Sequence, residues 1–177
     1  MLIDDAIEAA KAAGLLRPAA PIESWEPRPR VFLMCEPLWL AIEAGGVDLD
    51  EAVRKRWAQV EANISTFIVG GRMTENLIKQ LQPPKFEHWE LVCRKPKPSL
   101  RVFGRFAKAN VFVGTHVKPR RGMGGMWSPQ FEHEKLVCED HWKGAGLPAD
   151  GFFSDPPHFR YEAYITKNAT RNVRVPE

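Results

Sequence analysis

At 177 residues, with 44% hydrophobic and 27% charged residues and a mean hydropathy of -0.33, the chain has material for one ordinary core and too little for two full domains. Its net charge of +3 and pI near 8.8 permit nucleic-acid binding without requiring it, and no apolar run reaches the roughly 20 residues of a membrane-spanning helix. Asp4, Asp5 and Glu8 stand where an export signal would be basic and then apolar, and Cys35, Cys93 and Cys138 are an odd number without framework spacing, so a reducing, cytoplasmic setting is expected.

Residues 2–16, rich in Ala and Glu with Leu2, Ile7, Ala10 and Leu15 or Leu16 on one side, predict a short amphipathic helix. Residues 17–30 carry Pro18, Pro21, Pro27 and Pro29, which leaves little room for regular structure and suggests a linker or an ordered wrap pinned by Trp25. Together, residues 1–29 read as an N-terminal helix and linker. Residues 30–36 form an apolar run suited to a strand, and 38–44 suit a turn or two of helix broken by Gly45 and Gly46. Asp48 or Asp50 then offers an N-cap to a helix with Val53, Trp57, Val60 and Ile64 at helical spacing, stopped at Gly70 and Gly71. Thr74 opens a shorter predicted helix over 74–81, ended by Pro83 and Pro84.

The stretch 89–121 organises the rest. Trp89, Leu91 and Cys93 alternate with other residues, followed by Leu100, Val102, Gly104 and Phe106, and then by Val111, Val113, Thr115 and Val117. This period of two predicts three antiparallel strands with those residues as inward rows. A four-residue loop at 107–110 would set Phe106 opposite Val111, Arg105 opposite Phe112 and Arg101 opposite His116. Arg101, Phe103, His116 and Lys118 would then share the outward face. From 94 to 121 the chain holds Arg94, Lys95, Lys97, Arg101, Arg105, Lys108, Lys118, Arg120 and Arg121 and no acid. Such a concentration repels itself unless an anion such as a phosphate backbone lies against it. A solvated sheet face kept soluble by its cations is the plainer alternative.

Gly122, Gly124 and Gly125 follow among basic residues and Met, but without the spacing of a phosphate loop; a surface loop is expected at 122–126. Ser128 and Pro129 open a predicted helix over 130–142, burying Phe131, Leu136 or the stem of Lys135, Cys138 and Trp142. In the tail, 159–166 suits a strand with Tyr161 and Ile165 on one side. His133, Cys138 and His141 are zinc-ligand types, yet 133 lies well round the helix from 138 at about 100° per residue, so no metal site is expected. No serine or cysteine sits in a nucleophile motif, and no cofactor is implied.

The order is therefore α+β: a small antiparallel sheet built as strand, two helices and a three-strand meander over 30–143, with helices on one face and a closing helix, and a C-terminal extension over 144–177. This order and its motifs resemble the RelE/HigB superfamily of bacterial toxins, which includes prophage proteins. The motifs are Trp89-Glu90-Leu91, Leu100-Arg101-Val102 with Phe106, and His116-Val117-Lys118-Pro119-Arg120. The resemblance spans residues 30 to about 142. It implies a metal-independent mRNA endoribonuclease acting at the ribosome and neutralised by an antitoxin protein. Arg101 and Lys118 or Arg120 would stabilise the charge of the transition state, and His116 would transfer protons. Arg94, Lys97, Arg105 and Arg121 would hold the RNA. Pro119 interrupts the family's basic doublet, and Tyr161 or Tyr164 could supply its later tyrosine only if the tail folds back. The competing expectation is a non-catalytic phage or prophage protein that binds nucleic acid or a host protein through the same face.

Overall fold

A computed structural model describes residues 2–83, 86–148 and 161–170. The protein is α+β, with four helices of ten or more residues and a six-stranded mixed sheet among the described residues. In chain order these are α1 (Ile3–Ala12), β1 (Leu16–Pro18), β2 (Val31–Cys35), α2 (Glu36–Gly46), α3 (Glu51–Ile68), β3 (Met73–Thr74), β4 (Ile78–Gln80), β5 (Trp89–Cys93), β6 (Leu100–Lys108), β7 (Val111–Pro119), α4 (Pro129–Gly144), a single turn α5 (Tyr161–Tyr164) and β8 (Ala169–Thr170). The large sheet runs β1-β2-β7-β6-β5-β4, and β3 and β8 form a separate pair. Only β2 and β7 are parallel within the large sheet.

Local chemistry accounts for the helix ends. α1 has Asp4 and Asp5 in its first turn and Lys11 in its last, each sign facing the opposite end of the helix dipole. It stops at Gly14, whose φ of 72° lets Leu15 N–H reach back to the Ala10 carbonyl at 2.8 Å. Asp50 caps α3, accepting from Ala52 N–H at 2.7 Å. Ser128 caps α4, accepting from Phe131 N–H at 3.2 Å, with Pro129 at the first position.

α2 continues through Gly45 and Gly46 rather than breaking there. A Cβ on Gly45 would lie 1.9 Å from the Trp57 ring, so this glycine lets α2 close on α3. The expected helix at 74–81 is absent. Ile78 instead pairs with Leu91 in β4, because an apolar residue beside the open edge of β5 gains ladder bonds that a lone helical turn cannot match. The expected strand at 159–166 is replaced over its described part by α5; residues 159 and 160 lie outside the described residues. Tyr161, Tyr164 and Ile165 still share one side, since spacings of three and four suit a helix face, and all three enter the main core.

Helices cover both faces of the sheet, not one. On the first face α2 and α3 pack Leu38, Trp39, Val60, Ile64 and Phe67 against Phe32, Trp89, Leu91, Val102, Phe106 and Phe112. On the second, Ala6, Ile7 and Ala10 of α1 and Trp142 of α4 meet Leu33, Val111 and Val113, while Phe131 and Cys138 of α4 meet Phe103 and Leu81. β6 is accordingly buried along almost its whole length, the signature of a strand covered on both sides.

The hairpin turn is tighter than the expected 107–110 loop. Lys108 pairs with Val111 around residues 109–110, and Asn110 takes the left-handed φ of 62° that asparagine tolerates in tight turns. Phe106 then faces Phe112, Arg105 faces Val113, Phe103 faces His116, and Arg101 faces Lys118. A bulge at Thr115 separates the Phe103–His116 pair from the Gly104–Gly114 pair and changes which residues point which way. Val117 and Phe112 face α2 and α3, whereas Val111 and Val113 face the α1 and α4 side. The four β7 residues expected in one row are thus split.

Candidate nucleic-acid interface

The cations of 94–121 fall in three places: beneath α4, at the end of the sheet and, for Lys108, at the β6–β7 turn, where it pairs with Asp4. At the sheet end, the loop after β5 and the chain leaving β7 are tied by Arg120 N–H to the Ser99 carbonyl at 2.8 Å. Lys97, Pro98, Ser99, Arg120 and Arg121 line an open hollow of about 510 Å³ there. Arg94, Lys95, Lys97, Lys118 and Arg121 are exposed and Arg120 is half-buried. Arg94 donates to Asn76 Oδ1 at 3.2 Å, and the Arg120 guanidinium lies 5.6 Å from the Phe131 ring.

Arg101 sits just inside this rim at 8% exposure. It donates from Nη1 to the Leu100 carbonyl at 3.0 Å, and its Nε lies 3.5 Å from Oε1 of the buried Glu90. Burial lowers the basicity of this guanidinium; Glu90 opposes the shift, while Arg94 and Arg120 add to it. Lys79 reaches the same Glu90 oxygen at 3.4 Å. Arg101 is thereby engaged from within, with the more exposed cations of the rim beside it.

His116 lies deeper, at 4% exposure. Its ring stacks on Phe103 with centroids 4.9 Å apart and planes 7° apart. Nε2 is 2.9 Å from Glu134 Oε2, and Nδ1 is 3.0 Å from Thr115 Oγ1. Burial, reinforced by His141, Lys118 and His133, pushes its pKa down to about 3. At neutral pH it is a neutral imidazole held between Glu134 and Thr115. Both ring nitrogens are spoken for, so neither is open to a ribose arriving from solvent. Lys118, opposite Arg101, also approaches Glu134, at 3.9 Å from Oε1.

Arg105 is buried at 4%, with its guanidinium 4.8 Å from the Trp142 ring of α4, and burial lowers its pKa. The phenols sit on the other side of the molecule from a basic-face role: Tyr161 donates to the Ile78 carbonyl at 2.7 Å and Tyr164 to Glu87 Oε1 at 2.6 Å. Cys35, Cys93 and Cys138 are free and buried, with burial pushing Cys138 up to about 12. Among the described residues no group of three His, Cys, Asp or Glu converges as a metal would require.

Glu90 and Glu134, the two buried acids that organise this face, were not singled out by sequence pattern. The signal for Glu134 was the acidic segment 132–140, complementary to the acid-free strands but far from them in sequence. A larger cavity than the hollow at the sheet end, about 640 Å³, lies elsewhere, between the strap Arg17 to Ile22 and the Trp39 and Ile64 sides of α2 and α3. No protein-family model, curated protein or solved structure matches this chain. No helix among the described residues is long and apolar enough to cross a membrane.

Proposed function

We propose that the protein binds nucleic acid without cleaving it, gripping the phosphate backbone with the basic end of the sheet. The observation that carries this reading is the hollow between Lys97 and Arg121, where two loops from an acid-free stretch bring exposed cations together. Phosphates neutralise such a cluster, and binding that releases counterions is favourable and falls with salt. Measured by fluorescence anisotropy at low salt, wild-type protein binds a labelled oligonucleotide; the charge-reversed Lys97→Glu, Arg121→Glu variant does not, with its melting temperature unchanged. Equal binding by both proteins would refute the proposed site.

A toxin-like endoribonuclease acting at the ribosome, with an antitoxin as partner, is the second reading. It draws on the order of β2, two helices and β5 to β7, and on the placement of Arg101 directly opposite Lys118. The burial of His116 beneath α4 weighs against it. Expression of the chain in bacteria separates the two: growth arrest with mRNA cleavage, abolished by Arg101→Ala with Lys118→Ala, supports the nuclease. Harmless high-level expression supports the binding protein.

A further inference from the structure

The loop that joins β7 to α4 carries more than charge. Met123 is buried at 5% among Leu81, Phe103, Phe131 and Cys138, which anchors the middle of the loop in the core. Met123 N–H bonds the Arg120 carbonyl at 3.3 Å, and Ser128 N–H bonds the Gly125 carbonyl at 2.9 Å. The Ser128 hydroxyl donates to the Met123 carbonyl while capping α4. Gly122 and Gly124 adopt φ of 82° and 68°, a conformation that permits these tight reversals. The glycine-rich segment is therefore pinned from both sides.

What it presents outward is Trp127, 65% exposed. Its indole is met by the Lys135 ammonium at 5.3 Å from the ring centroid. One turn away on α4, Phe131 takes the Arg120 guanidinium at 5.6 Å. Trp127 and Arg120 thus meet α4 at residues one turn apart, Lys135 and Phe131, and Arg120 and Arg121 line the Lys97 hollow. A large aromatic ring held out to solvent on a loop whose other end lines a cationic hollow matches the two needs of an unpaired strand: a plate for a base and cations for its phosphates.

Resting on the binding function proposed above, we infer that the ligand is single-stranded nucleic acid, with one base stacked on Trp127 and the neighbouring phosphates held by Arg120, Arg121 and Lys97. A duplex offers the same phosphates but keeps its base faces occupied, so it engages the cations and leaves the indole unused.

The test measures affinities of wild-type, Trp127→Ala and Trp127→Phe proteins for a labelled strand of about 12 nucleotides, as RNA and as DNA. The same strand annealed to its complement and an abasic strand of equal length serve as controls. Trp127→Ala weakens single-strand binding roughly 5- to 150-fold, Trp127→Phe recovers part of the loss, and duplex and abasic affinities stay within about twofold of wild type. The indole being solvent-exposed, the variants melt as wild type does. Binding a base quenches tryptophan fluorescence in wild type, and Trp127→Phe removes that component. Unchanged single-strand affinity in Trp127→Ala, with salt-sensitive binding retained, overturns the stacking role and leaves the basic site standing. An equal loss on duplex and abasic strands also overturns it. Failure of wild type to bind any of the probes sinks the binding function and the inference together.

Discussion

Between the sheet and the α2 and α3 helices, the contacts are rings on rings. Phe112 lies 5.2 Å from Phe32, 6.2 Å from Phe67 and 5.1 Å from Phe106, all tilted or edge-on. Beneath α4 the same strands present Glu90, Arg101, Arg105, Thr115 and His116, and the helix answers with Glu134 and Lys135, all buried. The first interface gains from apolar area removed from water, which is non-directional and tolerant of detail. The second is stable only while every charge keeps its partner, since desolvating ions offsets much of what their pairing returns. One face specifies the fold, and the other fixes how α4 lies across the strands and hence where the basic rim is left open.

Substitutions separate the two kinds of interface. On the apolar side, Phe112→Ala removes a fully buried ring and leaves a cavity, with an expected loss of about 3–5 kcal/mol in urea denaturation. Its stability changes little between low and high salt. On the polar side, Arg101→Met strands the Glu90 carboxylate with Lys79 as its remaining cation, for an expected loss of about 3 kcal/mol. The double variant Arg101→Met, Glu90→Leu regains most of that. A double variant weaker than the single one would mean that the pair itself, and not the abandoned carboxylate, carries the stability.

Acid acts on the polar side alone. Burial, first of all, and then Arg105 and Lys135 push His88 down to about 3, as burial and nearby cations do for His116. Both are neutral when folded, while the unfolded chain takes up their protons below about 6.5. Between about pH 6.5 and 3 the unfolded state therefore binds more protons, and acid favours it. Stability falls by up to about 1.4 kcal/mol per pH unit for each histidine as pH drops through that window, and neither contributes above it. Denaturation midpoints followed against pH should show this slope in wild type and about half of it in His116→Gln. The smallest effect is expected at the mouth of the loop: Ser128→Ala loses the α4 cap, about 1 kcal/mol by thermal denaturation.

Much of the framework was legible in the chain. The period of two in β5 and β6, the Asp50 and Ser128 caps and the helical spacing of Val60 and Ile64 are local signals, and each element formed where its signal lay. That Arg101 and Phe103 share a face was also readable, because alternation within β6 fixes facing even when the partner residue is mistaken; His116 joins them only through the bulge at Thr115, which breaks the alternation of β7. The pairing itself was not: the bulge at Thr115 and the two-residue turn at Asn110 are matters of how β7 meets β6, with no mark in composition. Least legible was the cover over that face. α4 follows the strands in sequence, and its acids read equally well as a solvated helix surface. Only the fold shows that Glu134 turns inward to His116 while Trp127 remains outside. The glycine pair at 45–46 misled for the opposite reason, since its role depends on Trp57, a partner on another helix.

The salt dependence of single-strand binding tests the basic end of the sheet most directly. With Lys97, Arg120 and Arg121 changed together to Ala, the plot of log affinity against log salt concentration is expected to flatten by about 2, from a loss of roughly 0.7 per phosphate contact. A slope equal to that of wild type would contradict the proposed interface, because cations that release no counterions hold no phosphate.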